Sequence, residues 1–160
     1  AAFRAAGAVT GALSAKNAVG HGGQRALTTG SYNNAVGTNA QYSPRGVAAW
    51  GTTTASRQTS VGHESGQGSA TPSDEIVTIG YRAIADGAKA MSLGSMASAA
   101  HAGSVALGAD VTTTALAQVA VGPRDIEVQD ATKGLVLRSP DGSRWRATVT
   151  NAGVTTWTKL

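Results

Sequence analysis

The sequence predicts an all-β protein, a parallel β-roll with a small C-terminal antiparallel β cap, and three observations carry that prediction. The first is four glycines in strict register, Gly80, Gly94, Gly108 and Gly122, each 14 residues from the next. The second is the run that each glycine ends. Val77-Thr-Ile79, Met91-Ser-Leu93, Val105-Ala-Leu107 and Val119-Ala-Val121 put large apolar residues one and three before the glycine, with a small or hydroxylated residue between. That alternation belongs to a strand with one buried face, and its return at a fixed interval describes a solenoid coil. The third is the change of text after Gly122, where Pro123 stops the register and alternating runs separated by turn residues take over.

Taken in order, residues 1–16 are Ala-rich with Gly7 and Gly11 and show no period. Gly weakens short helices, so they read as an extended arm or attachment segment. The roll is expected over 17–122. Its early register is uneven: Gly20, Gly37, Gly51 and Gly62 each follow an apolar residue at spacings of 17, 14 and 11, which together equal three coils of 14. From Gly62 to Gly80 the gap is 18, and the surplus falls in the Gly, Ser and Pro text of 66–74, a loop. Each coil should divide into two strands of about five residues and two tight turns, a flattened two-sheet roll. The Ala-rich stretch 82–102 also admits a helical reading. Gly87, Gly94 and Gly103 oppose it, as does a glycine period that 3.6 residues per turn does not explain.

The cap is expected over 123–160. Residues 125–130 alternate, 133–138 follow, Ser139-Pro-Asp-Gly142 is a β-turn, 143–150 alternate strictly, and Asn151-Ala-Gly153 turns the chain once more. The result is a meander of three or four strands. These 38 residues are too few to bury a core alone. The cap is therefore expected to pack on the roll, on its own copies, or on both.

Composition points toward assembly. The chain has 21 Gly, 4% aromatic residues and 14% charged residues, so it lacks the large side chains that normally fill a core of this size. Each coil offers about two large apolar residues, and association of copies must supply the remaining burial. There is no Cys, hence no disulfide framework and no thiolate metal site. No apolar run approaches the ~20 residues of a membrane span, so membrane insertion is not expected. The opening residues lack both a signal-peptide pattern and an initiating Met, as expected of a processed product or a piece of a longer chain. The net charge is +4, with five basic residues and no acid in 1–63. Those five are widely spaced and read as solvating charges, and no nucleic-acid partner is expected.

Chemistry-bearing constellations are sparse. No HExxH motif occurs, and Asp74 and Glu75, adjacent in sequence, would point to opposite faces of a strand. Asp110, Asp125, Glu127 and Asp130 read as a solvated rim near the roll-to-cap junction, and Gly66-Gln-Gly68 lacks the rest of a dinucleotide fingerprint. The expectation is no catalytic residue, no cofactor and no enzyme activity. Val19-Gly-His21 and Val61-Gly-His63 repeat at 42 residues, three coils on the count above, which makes His21 and His63 weak metal candidates on one edge. Their ordinary reading is two turn residues in water. Tyr32, Tyr42 and Arg45 are candidates for surface binding. Trp50 is expected at the apolar position before Gly51, and Trp145 and Trp157 are expected to pack the cap across chains.

Two stretches carry family resemblances. Ser104-Val-Ala-Leu-Gly-Ala-Asp-Val-Thr-Thr-Thr-Ala-Leu-Ala-Gln-Val-Ala-Val-Gly122 resembles the head repeat of trimeric autotransporter adhesins, and Asn17-Ala-Val-Gly20 and Asn34-Ala-Val-Gly37 resemble the same repeat in shortened form. That resemblance, over roughly 17–122, implies a homotrimeric left-handed parallel β-roll of 14-residue repeats. The signal peptide, coiled-coil stalk and membrane anchor of those adhesins are not found in this sequence, which weighs against a bacterial surface anchor. Gly134-Leu-Val-Leu-Arg-Ser-Pro-Asp-Gly-Ser-Arg-Trp-Arg, continuing to Leu160, resembles a terminal segment of tailed-bacteriophage fibre, spike and appendage proteins. Together the resemblances imply a structural fibre at the virion surface that adheres to the host by multivalent, non-catalytic binding. Its implied partners are its own copies, other capsid or tail proteins, and a host-surface glycan. The alternatives are a head decoration fibre without receptor role, a fragment of a bacterial trimeric adhesin head, and a polysaccharide-degrading tail spike.

Overall fold

The computed structural model describes residues 17–23, 31–41, 56–66, 74–122 and 125–160. The arm 1–16, Tyr42, Arg45, Trp50 and Gly51 lie outside them. The chain divides into two compact units, Ala1–Pro123 and Arg124–Leu160.

The first unit is a parallel β-solenoid. Among the described residues its main sheet has seven short strands: β1 (Asn17–Val19), β2 (Asn34–Val36), β3 (Thr59–Val61), β4 (Val77–Ile79), β6 (Met91–Leu93), β8 (Val105–Leu107) and β9 (Val119–Val121). On the opposite side β5 (Ile84–Ala85) pairs in parallel with β7 (Ser98–Ala99), and Ser98 bridges to Thr112. Strands of three and two residues replace the expected five. The corners take up the rest of each coil.

Those corners are built from residues with positive φ. Glu64, Arg82, Met96 and Asp110 occupy one column at 52° to 60°, and Arg57, Glu75, Lys89 and Ala117 another at 52° to 62°. Each such residue costs about 1–2 kcal/mol in isolation. Here every one of them donates its N–H to the coil before it, as Met96 does to the Tyr81 carbonyl at 2.7 Å and Ala117 to that of Ala102 at 3.0 Å. Repetition of the corner thus satisfies the backbone groups that a single turn would leave to water.

The glycine column follows from close approach. A Cβ on Gly80 would lie 2.4 Å from the Gly94 carbonyl oxygen, and one on Gly94 would lie 2.4 Å from that of Gly108. Both have φ above 130°, which side chains rarely adopt. Gly20, Gly37 and Gly62 stack on the next glycine in the same way. Gly37 sits directly on Gly62, and β2 pairs directly with β3, Asn34 opposite Thr59. The expected Gly51 step therefore does not intervene. From Gly20 to Gly62 the described glycine column takes two steps, through Gly37, where the spacing suggested three.

Burial also reverses a simple reading of the alternation. Thr78, Ser92 and Ala106, the small residues between the large ones, are fully buried in register with one another. Ile79 and Leu107 are 42% and 44% exposed. The side chains between the two walls are mostly Ala, Ser and Thr, with Ile76 and Val111 the larger apolar ones. Ala83, Ala97 and Val111 fill the facing corner, with Ala85, Ala99 and Thr113 beside them. In the earlier coils the inside is polar and paired. Gln41 Nε2 donates to Ser60 Oγ at 3.0 Å, Thr78 Oγ1 donates to Ser60 Oγ at 2.8 Å, and Ser65 Oγ donates to Thr78 Oγ1 at 2.9 Å.

The second unit is an antiparallel meander of β10 (Leu135–Arg138), β11 (Arg144–Val149) and β12 (Thr155–Lys159). Residues 125–130, which alternate in sequence, form no strand and are exposed. Both hairpin turns end on a glycine of positive φ, Gly142 at 84° and Gly153 at 76°. Their N–H groups donate to the Ser139 and Thr150 carbonyls at 2.9 and 2.8 Å. A three-residue loop of this kind asks for glycine at that position.

Candidate interaction surfaces

With the inside of the coils filled by small residues, the large ones form an outer ladder. One row runs through every strand of the main sheet: Val19, Val36, Val61, Ile79, Leu93, Leu107 and Val121, each paired in register with the next. A second row, two residues earlier, changes character on the way. It is Asn17, Asn34 and Thr59 at first, with Asn17 Nδ2 donating to Asn34 Oδ1 at 3.1 Å, and then Val77, Met91, Val105 and Val119. From β4 to β9 both rows are apolar and partly or largely exposed. A contiguous apolar face of this kind marks an interaction surface.

One corner carries a cluster of polar and aromatic side chains. His63 stacks on Tyr81 of the next coil, ring centroids 5.6 Å apart and planes 11° from parallel. The Arg82 guanidinium lies 5.2 Å from the Tyr81 ring centre and pairs with Glu64, which holds the arginine's pKa above its usual range. The adjacent carboxylates Asp74 and Glu75, expected to diverge, both reach Arg57 at 3.6 and 3.0 Å, because they stand at a corner and not in a strand. Exposed pairs of this kind add little to stability.

His21 and His63 lie in the same corner column with Thr38 between them: Asn39 donates to the His21 carbonyl, and Glu64 to that of Thr38. Two strand spacings, about 10 Å, separate the two positions, so within one chain the two imidazoles do not converge on one ion. Among the described residues, no group of three or more His, Cys, Asp and Glu is placed to hold a metal. Tyr32 sits at a corner with φ 59° and is 58% exposed. Tyr42 and Arg45 fall outside the described residues, so their relation to Tyr32 is not part of the geometry.

The meander has two unlike faces. Register places Leu137 opposite Trp145, Leu135 opposite Ala147, and Ala147 opposite Trp157 on one face. Leu135 and Trp157 are 63% and 51% exposed, so this apolar face is open in the single chain. On the other face Arg138 stands opposite Arg144, with Arg146 two residues further along β11. Arg146 Nη1 donates to the Thr132 carbonyl at 2.9 Å. Sequence alternation already separates Trp145 from Arg144 and Arg146. The addition of Arg138 to their face needs the strand register.

Two aspartates stabilise the turns of this unit. Asp141 accepts from the Ser139 hydroxyl, from the Ser143 N–H at 2.9 Å and from the Ser143 hydroxyl at 3.0 Å. These bonds, the one from Ser139 foremost, hold its carboxyl below the usual range. Asp130 accepts from the Thr132 hydroxyl at 2.7 Å and its N–H at 2.8 Å, which lowers its pKa likewise, and the Arg146 charge adds to the shift.

No helix among the described residues is long and apolar enough to cross a membrane. Compared with known proteins, the chain matches no protein-family model, no curated protein and no solved structure.

Proposed function

We propose that the chain is the subunit of a homotrimeric virion fibre of a tailed bacteriophage, which adheres to the host surface by multivalent, non-catalytic binding. The observation that carries the assembly is the outer apolar ladder. An interior already filled mostly by Ala, Ser and Thr leaves Ile79, Leu107, Val119 and Val121 exposed in one chain. Three left-handed rolls of 14-residue coils, set with these rows facing a common axis, would bury them together. The open Trp145–Trp157 face of the meander supports the same assembly, since large aromatics are favoured at the core of such interfaces.

The virion setting rests on the resemblance of residues 134–160 to phage appendage segments, and the adhesive role on the resemblance of the coils to adhesin heads. Three equivalent copies would let weak individual contacts sum to firm attachment. Other capsid or tail proteins, and a glycan of the host surface, are the partners in this reading. Light scattering after size exclusion tests it. A concentration-independent mass three times 15.9 kDa is expected, and a stable single-chain mass would overturn the assembly and with it the multivalent mechanism.

A further inference from the structure

We infer that the arginine face of the C-terminal meander binds an acidic polysaccharide, a linear polymer bearing carboxylates on its sugars. The inference rests on the adhesive reading above and names its ligand class. Its starting point is an arrangement that costs the fold stability. Arg138 and Arg144 are directly opposite on paired strands, a like-charge pair that sheets disfavour, and Arg146 lies on the same face. Among the described residues, no salt bridge reaches any of the three. Asp141, in the turn between Arg138 and Arg144, is held by Ser139 and Ser143, and Asp130 is held by Thr132 and acts on Arg146 alone, without an ion pair. A local rule broken without compensation inside the chain is expected where an external partner supplies it.

The geometry selects a polymer with anionic groups along its length. Opposed residues stand about 5 Å apart across the strands, and alternate residues about 7 Å apart along one. The three arginines therefore spread over a patch, Arg138 across the strands from Arg144 and Arg146 along β11 from it, and each fork suits contact with a separate carboxylate. The rest of the face favours sugar over nucleic acid. Single-stranded nucleic acids are held by basic grooves with aromatic stacking platforms, and here Trp145 and Trp157 are on the opposite face. Beside the arginines stand Thr148 and Thr156, whose hydroxyls lie 2.9 Å from each other and suit the hydroxyl-rich edge of a glycan. With the tryptophan face covered by copies, the arginines would be displayed outward on each.

The test uses the full chain and immobilised polygalacturonate, with neutral dextran and single-stranded DNA as comparison surfaces, at low and high salt. Expected are binding to polygalacturonate that salt weakens, little binding to dextran, and a loss of roughly tenfold to a hundredfold in the Arg138→Gln, Arg144→Gln double variant. The Arg138→Lys, Arg144→Lys variant keeps the charge without the fork and should fall between the two. Absence of uronate binding, affinity unchanged in the Gln variant, or arginine-dependent preference for DNA would overturn the inference. Light scattering on the same samples separates it from the assembly. A three-chain mass without uronate binding sinks the ligand alone, whereas arginine-dependent binding by a single-chain species sinks the trimer alone.

Discussion

Replacing Gly94 by Ala tests the reason for the glycine column. The new Cβ would stand 2.4 Å from the Gly108 carbonyl oxygen and 2.5 Å from its carbon, about 1 Å inside ordinary contact. Both atoms belong to backbone locked in the parallel ladder, so relief requires prising two coils apart, at a cost of about 1–3 kcal/mol. A backbone at φ +139°, which glycine alone adopts freely, adds about 1–3 kcal/mol of strain. The expected loss is thus about 2–6 kcal/mol, a large fraction of the stability of a small domain.

Gly103 provides the control. It too has positive φ, +66°, but its nearest obstacle is the Ala117 Cα at 3.9 Å, and its column neighbours Lys89 and Ala117 hold φ of 60° and 52° with side chains present. Gly103→Ala should therefore cost no more than about 1–2 kcal/mol, partly offset by the lower entropy of its unfolded chain. Urea unfolding followed by circular dichroism, at one fixed protein concentration, compares the two. Equal midpoints for G94A and G103A would refute the close-approach argument, since φ alone would then account for both.

Other consequences follow from the division between inner and outer residues. Ala106→Leu forces a larger side chain into a position with no exposure and should destabilise the coil by about 1–3 kcal/mol or more, read from the same unfolding curves. The pair Ile79→Ser and Leu107→Ser, on the outside, should instead leave the circular dichroism spectrum unchanged and lower the mass seen by light scattering. Thr78→Val removes the hydroxyl that links Ser65 to Ser60 and should cost about 1–3 kcal/mol in the unfolding assay. For Asp141 the folded pKa is depressed. Its contribution to the turn is present above the unfolded value of about 3.9 and is lost as pH falls through the lower folded one. Carboxyl-carbon NMR titration should find its midpoint below the usual range, moved upward by Ser139→Ala.

The parallel solenoid and the antiparallel sheet were legible because each rests on a pattern of one or two residues, glycine ending a run of three and strict alternation from Arg144 to Val149. Which face of the coil is buried was not legible. Alternation separates two sets of residues without saying which set meets the other wall, and the usual preference for large apolar residues inside fails where the walls are set close by stacked glycines and tight corners. The coil count has a similar origin: spacing alone does not say which run pairs with which, and β2 pairs directly with β3. On the candidate surfaces, His21 and His63 share one corner column, and the same miscount set them three coils apart where the strand pairing leaves two. Arg138 was missed because its pairing with Arg144 is a property of the hairpin register and not of either strand.

The coils change character at one place, inside and outside together. Up to β3 the second outer row holds Asn17, Asn34 and Thr59, and the interior there is tied by Gln41, Ser60 and Ser65 to Thr78 of β4. From β4 on that row is Val77, Met91, Val105 and Val119, and the interior is mainly Ala, with Ser92 and one bonded hydroxyl pair, Ser104 and Thr113, 3.0 Å apart. Near-identical coils have a weakness, because a strand shifted by one whole coil meets almost the same neighbours, and alanine stacked on alanine penalises such a slip very little. A directional hydroxyl network does penalise it, since any displaced coil would leave a buried Ser or Thr without its partner. The irregular, polar coils thus define which strand follows which, and the regular, apolar ones supply surface. That is why Thr78, the last hydroxyl of that network and a neighbour of Ser92, is the position where loss of one hydrogen-bonding group should blur the register of β3, β4 and β6, while the buried Ser104–Thr113 pair holds the later coils.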